Sequence, residues 1–303
     1  MHEFLAQLAN GVELGAIYAL IALGYTLVYG ILELINFAHG DVYTFGSFVA
    51  LSVLVALRAG GELHGVGLLI GIVVALAAAT VACALLGAGI ERLAYRRLRN
   101  APRLAPLITA IGVSFILENL LQLWQGSAPV PFPNVIPNPT VRIGALEVTA
   151  QQIVVVVLAV AAMIALQFLV KRSKLGKAMR AVAQDREAAA LVGISVDRTI
   201  AMTFLIAGAL AGVAGFVGGV SFGSAWFLNG FGAGLRAFTA AVLGGIGNIA
   251  GAMLGGFLIG ILESFSTWLI GGEWSNIAVF SVLILVLVFR PSGLLGETLP
   301  EKV

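Results

Sequence analysis

The chain has 303 residues, of which 60% are hydrophobic and 11% are charged, and its formal net charge is +2 at pH 7. Charged residues make up about a quarter of an ordinary soluble domain, so this composition excludes a chain that folds entirely in water. Cys83 is the single cysteine, which excludes an intrachain disulfide.

Long apolar segments recur along the chain and predict transmembrane helices. A helix needs about 20 mostly apolar residues to cross hydrocarbon about 30 Å thick, where its backbone groups must bond to one another. The clear segments are 5–29, 65–90, 104–124, 153–170, 200–222, 251–270 and 277–289, and 35–57 and 237–249 are weaker. Continuous rather than alternating apolar runs favour helices over a β-barrel. The sequence therefore predicts an all-α, polytopic bundle in a single domain, residues 1–303.

Basic residues are concentrated in loops that would lie on one side of the membrane. Cytoplasmic loops collect Lys and Arg, so we expect the N-terminus outside and the C-terminus inside. Fourteen of the 17 basic residues carry this bias: Arg92, Arg96, Arg97, Arg99, Arg103, Lys171, Arg172, Lys174, Lys177, Arg180, Arg186, Arg198, Arg290 and Lys302. With both ends of 200–289 inside, four crossings there give nine spans, whereas a re-entrant half-helix at 237–249 gives eight.

Three carboxylates, Glu13, Glu118 and Glu263, lie within apolar segments. A charge at the centre of the bilayer costs about 2.5–3.5 kcal/mol, so each needs a partner or water. Each could contact a solute, or it could form a buried hydrogen bond between helices or lie nearer the membrane surface. The sequence leaves these alternatives open.

A dense polar stretch, residues 33–41 (ELINFAHGD), precedes the second apolar segment. Asn36, His39 and Asp41 are candidates for a solute path. One histidine with scattered carboxylates lacks the grouped ligands that zinc requires, so we expect no metal site. Asp41 could instead cap the helix that follows.

Five prolines break the segment of about 125–150, at Pro129, Pro131, Pro133, Pro137 and Pro139. Because proline lacks an amide hydrogen and interrupts regular structure, the sequence predicts an extended loop on the outer face.

The segment of about 171–199 is too long for a simple connector and predicts two short helices. Asp185 could cap the second helix, and Gly193 suits its C-terminal end. We expect this loop to be a docking element. Gly176 and Lys177 lack the remaining residues of a phosphate-binding loop, so any ATPase must be another chain.

Glycines shape the last third of the chain. Glycines four residues apart, as at Gly208 and Gly212, predict close contact between helices. The run 244–248 (GGIGN) predicts a broken helix, because each glycine destabilises a helix by about 1 kcal/mol. Unwound backbone at membrane depth lies against protein or a water-filled cavity, so we expect Asn248 near a solute path.

Several motifs together resemble the permease subunits of bacterial branched-chain amino acid ABC importers, and specifically the first of the two paired permeases. They are 24–30 (GYTLVYG), 35–41 (INFAHGD), the loop 176–194, 238–248 (FTAAVLGGIGN) and 290–296 (RPSGLLG). The resemblance extends over nearly the whole chain. It implies import of leucine, isoleucine or valine across the bacterial inner membrane, with no catalytic or metal-binding residues in this chain.

The resemblance also implies partners: a homologous permease, two cytoplasmic ATPases that bind ATP and Mg, and a periplasmic binding protein. The expected ATPase-coupling residues are Gly176, Arg180, Ala181, Asp185, Ala189, Gly193 and Ile194. The expected translocation path includes Asn36, His39, Asp41, Glu118 and Asn248. Related permeases serve urea, amides or other amino acids. A further alternative is a secondary transporter or channel that couples protons through Glu13, Glu118 or Glu263.

Overall fold

A computed structural model describes residues 2–58, 64–99, 101–102, 104–136, 139–143 and 146–296. Pro137, Arg103 and Lys302 lie outside the described residues. The helices are α1 (His2–Leu32), α2 (His39–Arg58), α3 (Val66–Ile90), α4 (Leu104–Gln125), α5 (Ala150–Arg172), α6 (Lys174–Gln184), α7 (Arg186–Leu191), α8 (Val196–Phe222), α9 (Asn229–Gly244), α10 (Ile249–Ile270) and α11 (Gly272–Phe289). A π-helical turn, Glu91–Tyr95, and a 3-10 turn, Arg96–Leu98, extend α3.

Four short strands complete the described part of the chain, β1 (Val130–Pro131), β2 (Thr140–Ile143), β3 (Leu146–Thr149) and β4 (Ser224–Ala225). β2 and β3 form an antiparallel hairpin within the proline-containing loop, and β1 pairs with β4. This loop is therefore partly ordered as strands rather than simply extended.

Eight described helices are long and apolar enough to cross a membrane, namely α1 to α5, α8, α10 and α11. The all-α, polytopic bundle predicted from the sequence is confirmed. Helices α1 and α8 are the most buried of these, followed by α2, whereas α3, α5 and α11 have the smallest buried shares. The bundle is therefore built around α1, α8 and α2, with α3, α5 and α11 nearer its outside.

Close helix contacts occur where glycines face a neighbouring backbone. α1 runs antiparallel to α10, and Gly15 lies directly against the backbone of Phe257. Gly208 and Gly212 of α8 lie in the same way against α3, at Cys83 and Ala79. Lipid gives helices little hydrophobic reason to associate, so such small-residue contacts supply the packing. The predicted role of Gly208 and Gly212 is confirmed.

The predicted span 237–249 is wrong as a continuous helix. α9 ends at Gly244, Gly245 and Gly247 take φ of 104° and 94°, and α10 begins at Ile249. Such positive φ values suit glycine and end a helix. The predicted break is thus confirmed, and among the described residues eight helices, rather than nine, are long enough to span the membrane.

α9 nevertheless returns the chain from one end of the bundle to the other. Ser221, near the end of α8, bonds to Glu13 in the first half of α1. The turn after α9 lies instead beside the last part of α1, where Gly247 approaches Gly30. β4 and the shorter helix α9 together therefore carry the chain across the bundle once more, in addition to the eight long helices of the described residues.

α2 begins inside the bundle rather than at its end. The ring of His39 packs edge-on against that of Tyr25, with centroids 5.1 Å apart, and lies against Gly24 in the interior of α1. Residues 33–38 therefore fold back along α1 after a turn at Glu33, whose φ is 54°. The predicted span 35–57 begins four residues later than expected, because the polar stretch forms this return.

Candidate functional site

The polar stretch before and within α2 forms a buried cluster. Asn36 and Asp41 are only 4% and 1% exposed. The hydroxyl of Tyr95 donates to Asn36 Oδ1 at 3.1 Å, and the hydroxyl of Ser114 on α4 donates to Asp41 Oδ2. Glu118 follows Ser114 by one helical turn and is 7% exposed. Four of the five predicted path residues, His39 among them, thus lie around the start of α2.

The same cluster contains buried polar atoms that lack a hydrogen-bond partner in the structure. They are Nε2 of His39, Oδ1 of Asp41, Oγ1 of Thr44 and Oγ1 of Thr26. Buried polar groups are normally satisfied, and an exception marks a strained site or a place for water or a ligand. Asp41 lies in the first turn of α2 and accepts a hydrogen bond from Ser114. Its side chain therefore joins α2 to α4.

Asn248 lies away from this cluster, at the break between α9 and α10. Its Oδ1 accepts from the amide of Gly251 at 3.0 Å, which caps α10. Its Nδ2 donates to the carbonyl of Leu295 at 2.7 Å, which ties the segment after α11 to the break. The described contacts of Asn248 are therefore those of a helix cap.

A second polar group inside the bundle includes a residue that the sequence analysis did not select. Arg236 Nε on α9 lies 3.2 Å from Glu263 Oε2 on α10, and Arg236 Nη2 donates to Asn276 Oδ1 on α11 at 2.7 Å. Glu13 bonds instead with Ser221, at 2.6 Å. One signal in the sequence could have identified Arg236, because it is a charged residue within the apolar, glycine-rich stretch before the break.

The predicted two short helices between α5 and α8 are confirmed as α6 and α7. Asp185 Oδ1 accepts from the amides of Glu187 and Ala188, both at 2.9 Å, and so caps α7 as predicted. Gly193, with φ of 84°, ends the turn after α7, and the amide of Ile194 returns to the carbonyl of Ala189 at 3.0 Å.

The α6–α7 segment is fixed to the ends of α1 and α5. Gly176 lies directly against the carbonyl of Val170, to which Arg180 also donates. Arg186 donates to the carbonyls of Ile31 and Leu32 at the end of α1, at 3.2 and 3.4 Å. A cleft of about 360 Å³ lies between α6 and the ends of α1 and α3. Movement of α7 would therefore pull directly on α1.

The α6–α7 segment exposes two large apolar side chains at the end of α7, whereas the exposed side of α6 is mostly polar. Leu191 and Val192 are 89% and 75% exposed, whereas Ala189 on the opposite side is buried and Ala181 is partly buried. Two adjacent branched side chains exposed at the tip of a polar loop are typical of a protein contact rather than of a solvated surface.

Ion pairs fix α8 to the extension of α3 near this segment. Arg99 pairs with Glu91 and Asp197, and Arg96 also pairs with Asp197. Glu91 is 1% exposed, so its pairing compensates a buried charge. In the sequence these arginines indicated only the orientation of the chain, because their acidic partner on α8, Asp197, is distant along the chain.

Comparison with known proteins identifies a matching family and two similar permeases. A family model described as branched-chain amino acid transport system / permease component matches residues 7–287. The chain is 45% identical over 305 residues to the high-affinity branched-chain amino acid transport system permease protein LivH of Escherichia coli K12, covering 99% of this chain and 98% of LivH. It is 44% identical over 307 residues to the permease protein BraD of Pseudomonas aeruginosa, covering 100% and 99%.

Among solved structures, PsaBC from Streptococcus pneumoniae in complex with Fab is similar over 93% of this chain and 91% of that chain, with 13% identity and a TM-score of 0.46.

Proposed function

The chain belongs to the family of permease components of branched-chain amino acid transport systems, and on that premise we propose that it is the membrane subunit of an ATP-driven importer for leucine, isoleucine and valine. The observation that carries the proposal is the 45% identity to a high-affinity branched-chain amino acid permease over 99% of this chain. Its relatives are transport permeases rather than enzymes, which agrees with a subunit that provides the path and leaves ATP hydrolysis to other chains.

In this function the α6–α7 segment transmits movement from the ATPases. The exposed Leu191 and Val192 contact an ATPase that binds ATP and Mg. When the ATPase moves α7, the hydrogen bonds of Arg186 to the end of α1 move α1 as well. The bundle then switches between inward and outward access, as helices that pack at a few close contacts can do by rigid-body movement. The segment's position at the ends of α1 and α5 supports this assignment.

The second permease and a soluble binding protein complete the proposed importer. The two permeases enclose the path between them, and two ATPases bind on the inner face. The hairpin of β2 and β3 belongs to the opposite face, which would receive the binding protein. This arrangement places the N-terminus outside and the C-terminus inside the bacterial inner membrane.

The buried cluster around α2 is the proposed hinge of the path. The unpartnered atoms of His39, Asp41 and Thr44 are available to water or to solute when α2 and α4 separate. Asp41 and Ser114 hold these helices together in the state described. Asn248 contributes by fixing the break between α9 and α10, at the end of the path.

The test is uptake of labelled leucine by membrane vesicles that contain this chain with the paired permease, the ATPases and the binding protein. We expect ATP-dependent uptake that requires all components. Uptake of urea or amides instead of leucine would show that branched-chain amino acids are not the substrate. Proton-driven uptake by the purified chain alone would show that the chain is a secondary transporter rather than an importer subunit.

A further inference from the structure

Arg236, Glu263 and Asn276 bring three helices together at one point in the membrane. Arg236 extends from α9 to Glu263 on α10, with 3.2 Å between Nε and Oε2, and to Asn276 on α11, with 2.7 Å between Nη2 and Oδ1. Glu263 lies one turn after Gly260, which packs against Gly15 within α1. The group therefore lies within the spanning helices, about two turns before the end of α10 and one turn after the start of α11.

The Arg236–Glu263 pair is more accessible than the cluster around α2. The side chains of Arg236 and Glu263 are 21% and 12% exposed, whereas Asp41 is 1% exposed. Charged side chains at membrane depth face protein or a water-filled cavity, because lipid cannot solvate them. The uncovered part of this pair therefore faces water or a protein partner, and a path between two permeases would offer both.

The pairing leaves hydrogen-bonding capacity unused. Nε of Arg236 and Oε2 of Glu263 are both buried and close, yet neither makes a hydrogen bond in the structure. The attraction is thus electrostatic without the directional bonds that make a charge pair strong. A ligand that carries both a carboxylate and an ammonium could supply those bonds to both side chains at once.

We propose that Arg236 and Glu263 bind the zwitterionic head of the amino acid during its passage, with Arg236 receiving the carboxylate and Glu263 the ammonium. This inference rests on the proposed importer function. An aliphatic side chain can cross an apolar path without specific contacts, but the two charges of the head need opposite charges at that depth. Asn276 is a positioning residue that holds the guanidinium towards the path.

The alternative role of this pair is purely structural, and a neutral double variant separates the two. In Arg236→Gln with Glu263→Gln, two amides that can bond to each other replace the charges, and such replacement of a buried ion pair is often neutral for folding. Glu13→Gln is the matched control. It neutralises a different carboxylate, on α1, and the glutamine still offers an acceptor to the hydroxyl of Ser221.

The measurements are leucine uptake, ATP hydrolysis stimulated by the binding protein, and recovery of the assembled complex, all in reconstituted vesicles. We expect the double variant to assemble and to hydrolyse ATP while its maximum uptake falls by about tenfold or more, because two charged contacts with the head are lost. Half-saturation should stay unchanged, since the binding protein captures the substrate. The Glu13→Gln control should transport normally.

Uptake by the double variant within about twofold of the unmodified complex would overturn the proposal. Failure of the double variant to assemble would also overturn it, because the pair would then be needed to build the bundle. A complex of unmodified chains that imports no leucine would instead refute the proposed function, so the two failures are distinguishable.

Discussion

Replacing Leu191 with alanine is expected to weaken association with the ATPases without weakening the fold. Leu191 is 89% exposed at the end of α7, so its truncation removes almost no contact within the chain. Surface substitutions of this kind change the free energy of unfolding by about 0.5 kcal/mol or less. Any larger effect must therefore come from a surface that covers Leu191 in the assembled importer.

The size of the effect follows from the area that leucine would bury. Leucine to alanine removes three carbon groups, and each buried group contributes about 0.8 kcal/mol, which gives about 2.4 kcal/mol for complete burial. Since 1.4 kcal/mol corresponds to a factor of ten, the dissociation constant should rise by about 50-fold. Partial burial by the ATPase would reduce this value in proportion.

The assay is a titration of the purified ATPases onto the paired permeases in nanodiscs, followed by leucine uptake at saturating ATPase. Leu123→Ala on α4 is the matched control, because Leu123 is 84% exposed but lies in a membrane span. The control should bind the ATPases normally. A Leu191→Ala complex with an unchanged dissociation constant would refute the assignment of α7 as the ATPase contact.

Three further changes test the packing and the helix caps. Gly15→Val should abolish accumulation of folded protein in membranes, because its side chain would meet the α10 backbone, whereas Gly112→Ala, with open space around it, should leave thermal stability near normal. Asp185→Ala removes the α7 cap and should destabilise that helix by about 1 kcal/mol, seen as faster amide hydrogen exchange there; unchanged exchange would contradict the cap. Asn248→Ser should keep the α10 cap but lose the bond to Leu295, so faster exchange should be confined to the segment after α11; normal exchange there would show that this bond does not hold the segment.

Local signals in the sequence were sufficient for the existence of the eight long helices in the described residues and for the α7 cap. Apolar length predicts a span because the hydrocarbon thickness fixes it, and Asp185 lies one residue before a helix that needs acceptors for its first amides. Likewise, the glycine run predicted the end of α9. In the structure two of its glycines take positive φ, which ends the helix there. Each of these features depends on residues close together in the chain.

Features that depend on distant residues could not be predicted in the same way. The start of α2 at His39 is set by its contact with Tyr25 and Gly24, and apolar length carries no information on depth within the bundle. The partner of Glu263 was missed because Arg236 precedes the break and Glu263 follows it. The apolar surroundings of the carboxylates predicted that each needs a partner, but nothing in the sequence distinguishes one possible partner from another.

A short physical connection joins the proposed ATPase contact to the buried cluster. Arg186, at the start of α7, bonds to the carbonyls of Ile31 and Leu32, which are the last residues of α1. The chain then folds back through 33–38 directly to His39 and the cluster around α2. A displacement of α7 would therefore move the return segment before it moves the packed middle of α1. Such a displacement would therefore reach α2 where it starts inside the bundle among unpartnered polar atoms, which can change partners without breaking existing hydrogen bonds.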